Sequence, residues 1–251
     1  MSNPRFLRIE RLLGSQAVDI LSASHVCVVG LGAVGSYAVE ALARSGVGEF
    51  TLVDFDTVGI TNINRQLFAL SSTVGERKCD IAAGRIRDIN EEAVVHPLPL
   101  FAHYDSFDDL FSGNPDILID AIDSLNPKVS LLEYAYKKGI PTVSSMGAAL
   151  RRDVTKIHTS DLMDTRECPL ARMVRNKIRR RGVGRGIQAV YSTEKVMYEY
   201  KEPDEEAYAD HNEQIRDQGR VRRVLGSLPT IPGIFGLTIA HTVTEILLES
   251  K

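Results

Sequence analysis

The fold is decided by residues 25–66, HVCVVGLGAVGSYAVEALARSGVGEFTLVDFDTVGITNINRQ. Residues 26–29 form an unbroken apolar run of strand length, the pattern of a strand buried on both faces. GLGAVG follows at once, and then a helix-patterned segment. In such a strand–turn–helix unit Gly30, Gly32 and Gly35 supply the tight turn, the close backbone approach and the close helix–strand packing that a phosphate-bearing nucleotide needs. The N-terminus of the helix adds unpaired N–H groups and a partial positive charge. A second apolar run, residues 50–53, ends in Asp54, about twenty residues past the glycines, where an acid can bind ribose hydroxyls. The continuation is less ordinary. VDFDTVGITNINRQ packs two acids, two asparagines, an arginine and a glutamine directly behind the strand, a cluster that a plain dinucleotide-binding unit does not call for.

Working outward, a chain of 251 residues is long enough for one sizeable α/β core. The net charge of -3 shows no global bias toward nucleic acid or membrane, so any such contact must come from a local patch. Cys27, Cys79 and Cys168 lie far apart and form no CxxC, which excludes a disulfide framework or four-thiolate zinc site and fits a reducing cytoplasm. The N-terminus is charged from Arg5 onward and does not read as a signal peptide. Residues 228–248 are apolar enough to suggest a membrane span. They also hold two prolines, His241, Glu245 and four threonines, so a buried C-terminal helix is expected rather than stable membrane insertion.

Along the chain, residues 4–23 read as one or two amphipathic helices with Phe6, Ile9, Leu12 and Leu13 on one stripe. They are either a packing surface or an arm carrying Arg5, Arg8 and Arg11 to a phosphate. Residues 71–90 read as one helix with Lys78 near its start. A lysine there is either solvated or, because it opposes the macrodipole preference for acids, the partner of a bound anion. Residues 94–97 are a strand and 105–112 a short helix. DILIDAIDS places a second acidic strand end, Asp120 and Asp123, at the same crevice as Asp54. Two such ends around a phosphate cradle suit Mg²⁺. Asp120 could equally cap a helix, and Asp123 is the better candidate for chemistry. A helix over 128–138 and a strand over 141–145 follow, and GAAL closes the doubly wound part. Beyond it, 154–162 is strand-like and 172–185 holds seven Lys/Arg and no acid, a solvated face or a phosphate-backbone surface. IQAVYSTEKVMYEY reads as a hairpin turning at Ser192–Glu194, and 202–217 as an acidic loop.

GLGAVGS, VDFD, TNINRQ, the helix with Lys78 and DAIDS stand in the order and spacing of the ubiquitin-activating-enzyme-like adenylyltransferases, which this chain resembles. TNINRQ is the specific part. Within that superfamily RFLRIERLLG, DFDTVGITNINRQ, DAIDSLNPK, PLARMVRNKIRRRG and YSTE are similar to the tRNA threonylcarbamoyladenosine dehydratases. The likeness spans nearly the whole chain and is loosest over 97–115 and 200–226.

The resemblance implies one α/β domain over 1–251: a doubly wound, mostly parallel Rossmann-like sheet at 25–150, a helical arm at 1–24 and a substrate-side extension at 151–251. It makes Gly30, Gly32 and Gly35 the nucleotide loop and Asp54 the ribose acid. Asn62, Asn64, Arg65 and Lys78 would be the phosphate ligands, Gln66 and Asp120 would also belong to the nucleotide site, and Asp123 would position Mg²⁺ and the reacting α-phosphate of ATP. Arg65, Lys78 and Asp123 are thereby the expected catalytic groups. The implied reaction is ATP-dependent adenylation of the threonylcarbamoyl carboxylate on a tRNA adenosine near the anticodon, then ring closure with loss of AMP. A cytoplasmic homodimer is implied, with a cysteine desulfurase or sulfur acceptor as a further partner. Two departures bear on this. The paired CxxC zinc motifs of sulfur-carrier-activating relatives are missing, which disfavours the alternative, activation of the C-terminal carboxylate of a ubiquitin-fold carrier. Cys168 stands where the dehydratases commonly have Asp and where some relatives hold a transfer cysteine, so a thioester role is the minor reading. The glycine loop and Asp54 alone would also allow an NAD(P)-dependent oxidoreductase, against which TNINRQ and the second acidic strand end argue.

Overall fold

Short apolar runs flanked by turns become the strands of one sheet in the computed structural model, which describes residues 3–196 and 225–249. The strands are β1 (His25–Val29), β2 (Glu49–Val53), β3 (Val94–Leu98), β4 (Ile117–Asp120), β5 (Thr142–Ser145), β6 (Ile157–Asp161) and β7 (Ile187–Ser192). Their order is β3-β2-β1-β4-β5-β7-β6. Every pairing is parallel except β6 with β7. Val29 pairs level with both Val53 and Asp120, so β2, β1 and β4 end flush at one edge. The chain moves outward in opposite directions from β1, and that reversal opens a crevice outside the carboxyl ends.

The helices are α1 (Leu7–Leu13), α2 (Ser15–Ser22), α3 (Gly35–Ser45), α4 (Lys78–Ile89), α5 (Phe107–Leu110), α6 (Leu125–Lys138), α7 (Pro169–Arg179) and α8 (Thr230–Glu249). Strand alternation sends Val26 and Val28 into one core with α3, α4 and α8, while Cys27 and Val29 face α5 and α6 on the other side. A third cluster joins α6, α7 and β7. Helix α8 is long and apolar enough to cross a bilayer, yet 56% of its most apolar window is buried inside the protein. It lies tight on α3: a Cβ on Gly236 would meet the Val34 carbonyl oxygen at 2.4 Å.

Several sequence expectations need correction. The helix expected over 71–90 starts only at Lys78. Residues 71–73 form a separate 3-10 turn, and Gly75 takes a φ of 91°. The reason lies in the backbone: Gly75 N–H and Val58 N–H bond the Val58 and Glu76 carbonyls, and Thr57 bridges Arg77, so this stretch pairs with the segment behind β2 instead of coiling. Helix α6 opens three residues before the expected 128. The parallel sheet does not end at GAAL, because β7 lies parallel beside β5. Strand β7 finds its antiparallel neighbour in β6 upstream. The second arm of the expected hairpin, like the acidic loop, lies outside the described residues.

Candidate active site

The three glycines of the first turn serve different ends. Gly30 has a φ of 98°, and a Cβ there would lie 2.8 Å from the Ala121 carbonyl oxygen. A Cβ on Gly35 would lie 1.8 Å from the Gly30 oxygen, so this glycine lets α3 start against the turn. Gly32 meets only the Gln66 side chain, at 3.8 Å, which leaves its face open for a ligand's backbone approach. No side chain caps the N-terminus of α3, the kind of helix start that can receive an anion, although the Ser36 N–H already bonds the Gly32 carbonyl at 3.1 Å.

Asp54 stands one residue past β2. Its carboxylate accepts the Leu31 N–H at 2.7 Å and the Asp56 N–H at 2.9 Å, which ties the glycine turn to the second strand. Burial pushes its pKa above the usual carboxylate value, outweighing the nearby Lys78 charge. Lys78, only 5% exposed, is not a solvated helix lysine. Its ammonium bonds Asp56 Oδ2 at 2.9 Å and its N–H bonds the Asp56 carbonyl. The first turn of α4 therefore presents a buried cation to the same edge, held by one carboxylate that an incoming phosphate could replace.

The ITNINRQ segment divides its labour. Asn62 is buried, and its Oδ1 accepts the Gly59 N–H at 3.1 Å, so this side chain shapes its own loop. Arg65 is half-buried and donates from Nη1 to the Thr61 carbonyl and to Asn64 Oδ1, both at 2.9 Å. Asn64 is exposed and steers Arg65, while Gln66 is buried under Gly32.

At the end of β4, Asp120 is completely buried and does not cap a helix; Ser124 holds the N-cap position of α6. Its carboxylate bonds the equally buried Lys128 Nζ at 2.5 Å and the Ser144 hydroxyl at 2.6 Å, and it accepts the Ile122 N–H at 3.1 Å. Asp120 thus clamps the turn that carries Asp123 rather than facing a ligand. Asp123 is exposed at the crevice beside Ser124, whose hydroxyl bonds it at 3.3 Å.

The basic segment is less uniform than its composition. Arg181 pairs with Glu133 and Arg185 with Asp164, while Arg175 is turned onto the Thr165 carbonyl. Arg172, Arg179 and Arg180 are exposed and meet no carboxylate among the described residues. Cys168 is 3% exposed and packs in the cluster of α6, α7 and β7, the setting of a core residue and not of an acyl-transfer thiol. Arg5 pairs with Glu91 at 2.9 Å, whereas Arg8 and Arg11 are exposed on α1.

The ThiF family model matches residues 6–251. The chain belongs to the ThiF family. Among its relatives, the Bacillus subtilis tRNA threonylcarbamoyladenosine dehydratase is 38% identical over 98% of this chain and 95% of its own length. Crystal structures of the Escherichia coli dehydratase TcdA with ATP and with AMP superpose with a TM-score of 0.85 at 34% identity, covering 98% of this chain and 94% of that one. A molybdopterin-synthase adenylyltransferase of Salmonella typhimurium is 32% identical over 61% of this chain and 62% of its own length.

In this ThiF-family chain the glycine turn, Asp54 and the Asp120–Asp123 turn follow the flush ends of β1, β2 and β4, and Lys78 reaches the segment behind β2 through Asp56. Sequence reasoning missed two members. Asp56 was visible as the second acid of VDFD, but its pairing with Lys78 crosses 22 residues. Lys128 stood in DAIDSLNPK with no local sign that it reaches back under β4 and β5.

Proposed function

We propose that this ThiF-family chain is an ATP-dependent tRNA threonylcarbamoyladenosine dehydratase that works through an acyl-adenylate. The observation that carries the reading is the meeting, at one flush sheet edge, of an open glycine turn, a buried lysine on a replaceable partner and an exposed acid on a clamped turn. ATP lies with its ribose toward Asp54 and its phosphates over the first turns of α3 and α4. The threonylcarbamoyl carboxylate attacks the α-phosphorus and pyrophosphate leaves. Arg65 and Lys78 neutralise the charge that builds on the phosphate oxygens. The carbamoyl group, tethered to the activated acyl carbon, then closes the ring and expels AMP. Its high effective molarity removes the need for an enzyme nucleophile, in keeping with a buried Cys168.

Among the described residues no group of three or more His, Cys, Asp or Glu is placed to hold a metal. One exposed carboxylate beside nucleotide phosphates is nonetheless how Mg²⁺ is commonly held, and Asp123 fits that role. The ion would supply charge neutralisation at the phosphates. The exposed apolar residues of α1, Leu12 at 79% above all, support a homodimer through this arm. Arg172, Arg179 and Arg180 support tRNA as the cytoplasmic partner. Incubating the protein with ATP, Mg²⁺ and tRNA bearing linear threonylcarbamoyladenosine, then weighing the nucleosides, tests the reading. Loss of one water with formation of AMP is expected; an unchanged nucleoside under conditions where ATP binds contradicts it.

A further inference from the structure

Arg151 is 3% exposed, and its Nε and Nη1 are both buried without a hydrogen-bond partner among the described residues. A guanidinium is a permanent cation with five donors and no acceptor. Leaving such a group unpaired out of water is among the costliest arrangements a fold can hold, and the few that persist call for an explanation. The carboxylates nearest in the chain path are already engaged. Asp153 accepts from the Thr155 N–H and hydroxyl. Glu194 accepts the backbone N–H groups of Arg152 and Asp153, at 2.8 and 2.9 Å. Neither forms an ion pair with Arg151.

The surroundings of Arg151 place it on the same rim as the nucleotide crevice. It follows the carboxyl end of β5 by six residues, as read from Ser145. Glu194, just past β7, fastens the residues after it, and the Gly226 carbonyl accepts the Leu150 N–H at 2.9 Å before it. Leu150 itself is held at a φ of 62°, a left-handed conformation that a leucine seldom adopts. Across the rim the order is Asp54 behind β2, the glycine turn behind β1, Asp120–Asp123 behind β4, and then the Arg151 segment over β5 and β7. With strands spaced by about 4.8 Å, Arg151 belongs one or two strands beyond Asp123, on the side away from the ribose acid.

Building on the dehydratase reading, we infer that Arg151 is the anchor for an oxyanion on the acyl side of the reaction: the carboxylate of the threonylcarbamoyl group or a backbone phosphate of the tRNA. Both sources offer the anionic oxygens that a guanidinium pairs with in charge-assisted hydrogen bonds. The nucleotide phosphates already have Arg65, Lys78 and the α3 N-terminus, which leaves the acyl partner as the group without an assigned cation.

The test compares the full-length wild type with Arg151→Met and Arg151→Lys. Without ligand, Arg151→Met should melt at or above the wild-type temperature, because it replaces a buried guanidinium whose Nε and Nη1 have no partner among the described residues with an apolar chain. In steady-state assays it should raise KM for modified tRNA by at least about tenfold, with KM for ATP unchanged and Arg151→Lys intermediate. The free threonylcarbamoyladenosine nucleoside separates the sources. An equal loss with nucleoside and tRNA assigns the carboxylate, and a loss with tRNA alone assigns a phosphate. With ATP saturating, inorganic phosphate should stabilise the wild type more than Arg151→Met. This arm decides the assignment even if the wild type proves inert toward tRNA, a result that would count against the dehydratase reading alone. A melting temperature several degrees lower for Arg151→Met, with phosphate stabilisation unchanged, overturns the inference, since it would show that the folded chain itself satisfies the guanidinium.

Discussion

Lys128 and Asp120 are both fully buried and joined at 2.5 Å, with Ser144 completing the cluster. Removing one member leaves a buried charge uncompensated, at a cost of about 3–5 kcal/mol. Lys128→Met should therefore lower unfolding free energy by about that much in urea titration, and Lys128→Met with Asp120→Leu should recover most of it. Equal losses in the single and double variants would show that the pair does not act as a unit. Asp54 is the opposite case, an acid whose folded environment costs stability. Burial holds its pKa above the ordinary 3.8, so the folded state binds the proton more tightly than the unfolded chain. Its contribution is therefore lost as pH rises from 3.8 through the folded value. The stability of wild type minus that of Asp54→Asn should fall across this acidic window. A flat difference would mean that the Asp54 site does not disfavour the charged form.

The elements show where sequence patterns suffice and where they fail. Strand β1, the glycine turn and α3 were legible because each depends on neighbours in sequence: apolar run, glycine spacing, helical periodicity. The start of α4 was not, since residues 74–77 turn through Gly75 and are tied by backbone hydrogen bonds to 56–58, a contact no local preference announces. Lys78, expected near the start of that helix, is its first residue and lies over Asp56. Helix packing makes a paired prediction. A Cβ on Gly236 would meet the Val34 oxygen at 2.4 Å and the Tyr37 Cβ at 2.7 Å, whereas one on Gly84, in the middle of α4, meets nothing within 4 Å. Gly236→Ala should destabilise by roughly 1–3 kcal/mol through overpacking, and Gly84→Ala should stabilise by roughly 0.5–1 kcal/mol. Chemical denaturation checks both signs. In the basic segment 172–185 the composition overstated the free surface charge, since ion pairs take up two of its seven cations, Arg181 and Arg185, both past the end of α7. Replacing Arg172, Arg179 and Arg180 together by Ala should weaken tRNA binding and reduce its salt dependence by up to about three units of slope, with ATP affinity unchanged. The same replacement at Arg181 and Arg185 should alter the slope much less.

For the whole molecule, the doubly wound sheet creates the crevice by its order of strands, and residues from distant parts of the chain converge there because β2, β1 and β4 end level. Asp54, Lys78 and Asp123 stand out in the sequence by their positions after a strand or near a helix start, and the family resemblance gives them their expected roles. Asp56, Lys128 and Arg151 do not, because each gains its meaning from a partner, or the lack of one, that only the folded chain supplies. The rim also concentrates groups that work against stability, an acid raised by burial and a guanidinium with two buried nitrogens that have no partner among the described residues, as expected where binding rather than folding fixes the residue. In the proposed reaction ATP activates the substrate's carboxylate. Isotope transfer tests it directly: tRNA whose threonylcarbamoyl carboxylate carries ¹⁸O is converted with unlabelled ATP in unlabelled water, and the AMP is weighed. Attack on the α-phosphorus followed by ring closure at the acyl carbon predicts one ¹⁸O atom in the AMP. Unlabelled AMP alongside a fully closed ring would contradict it.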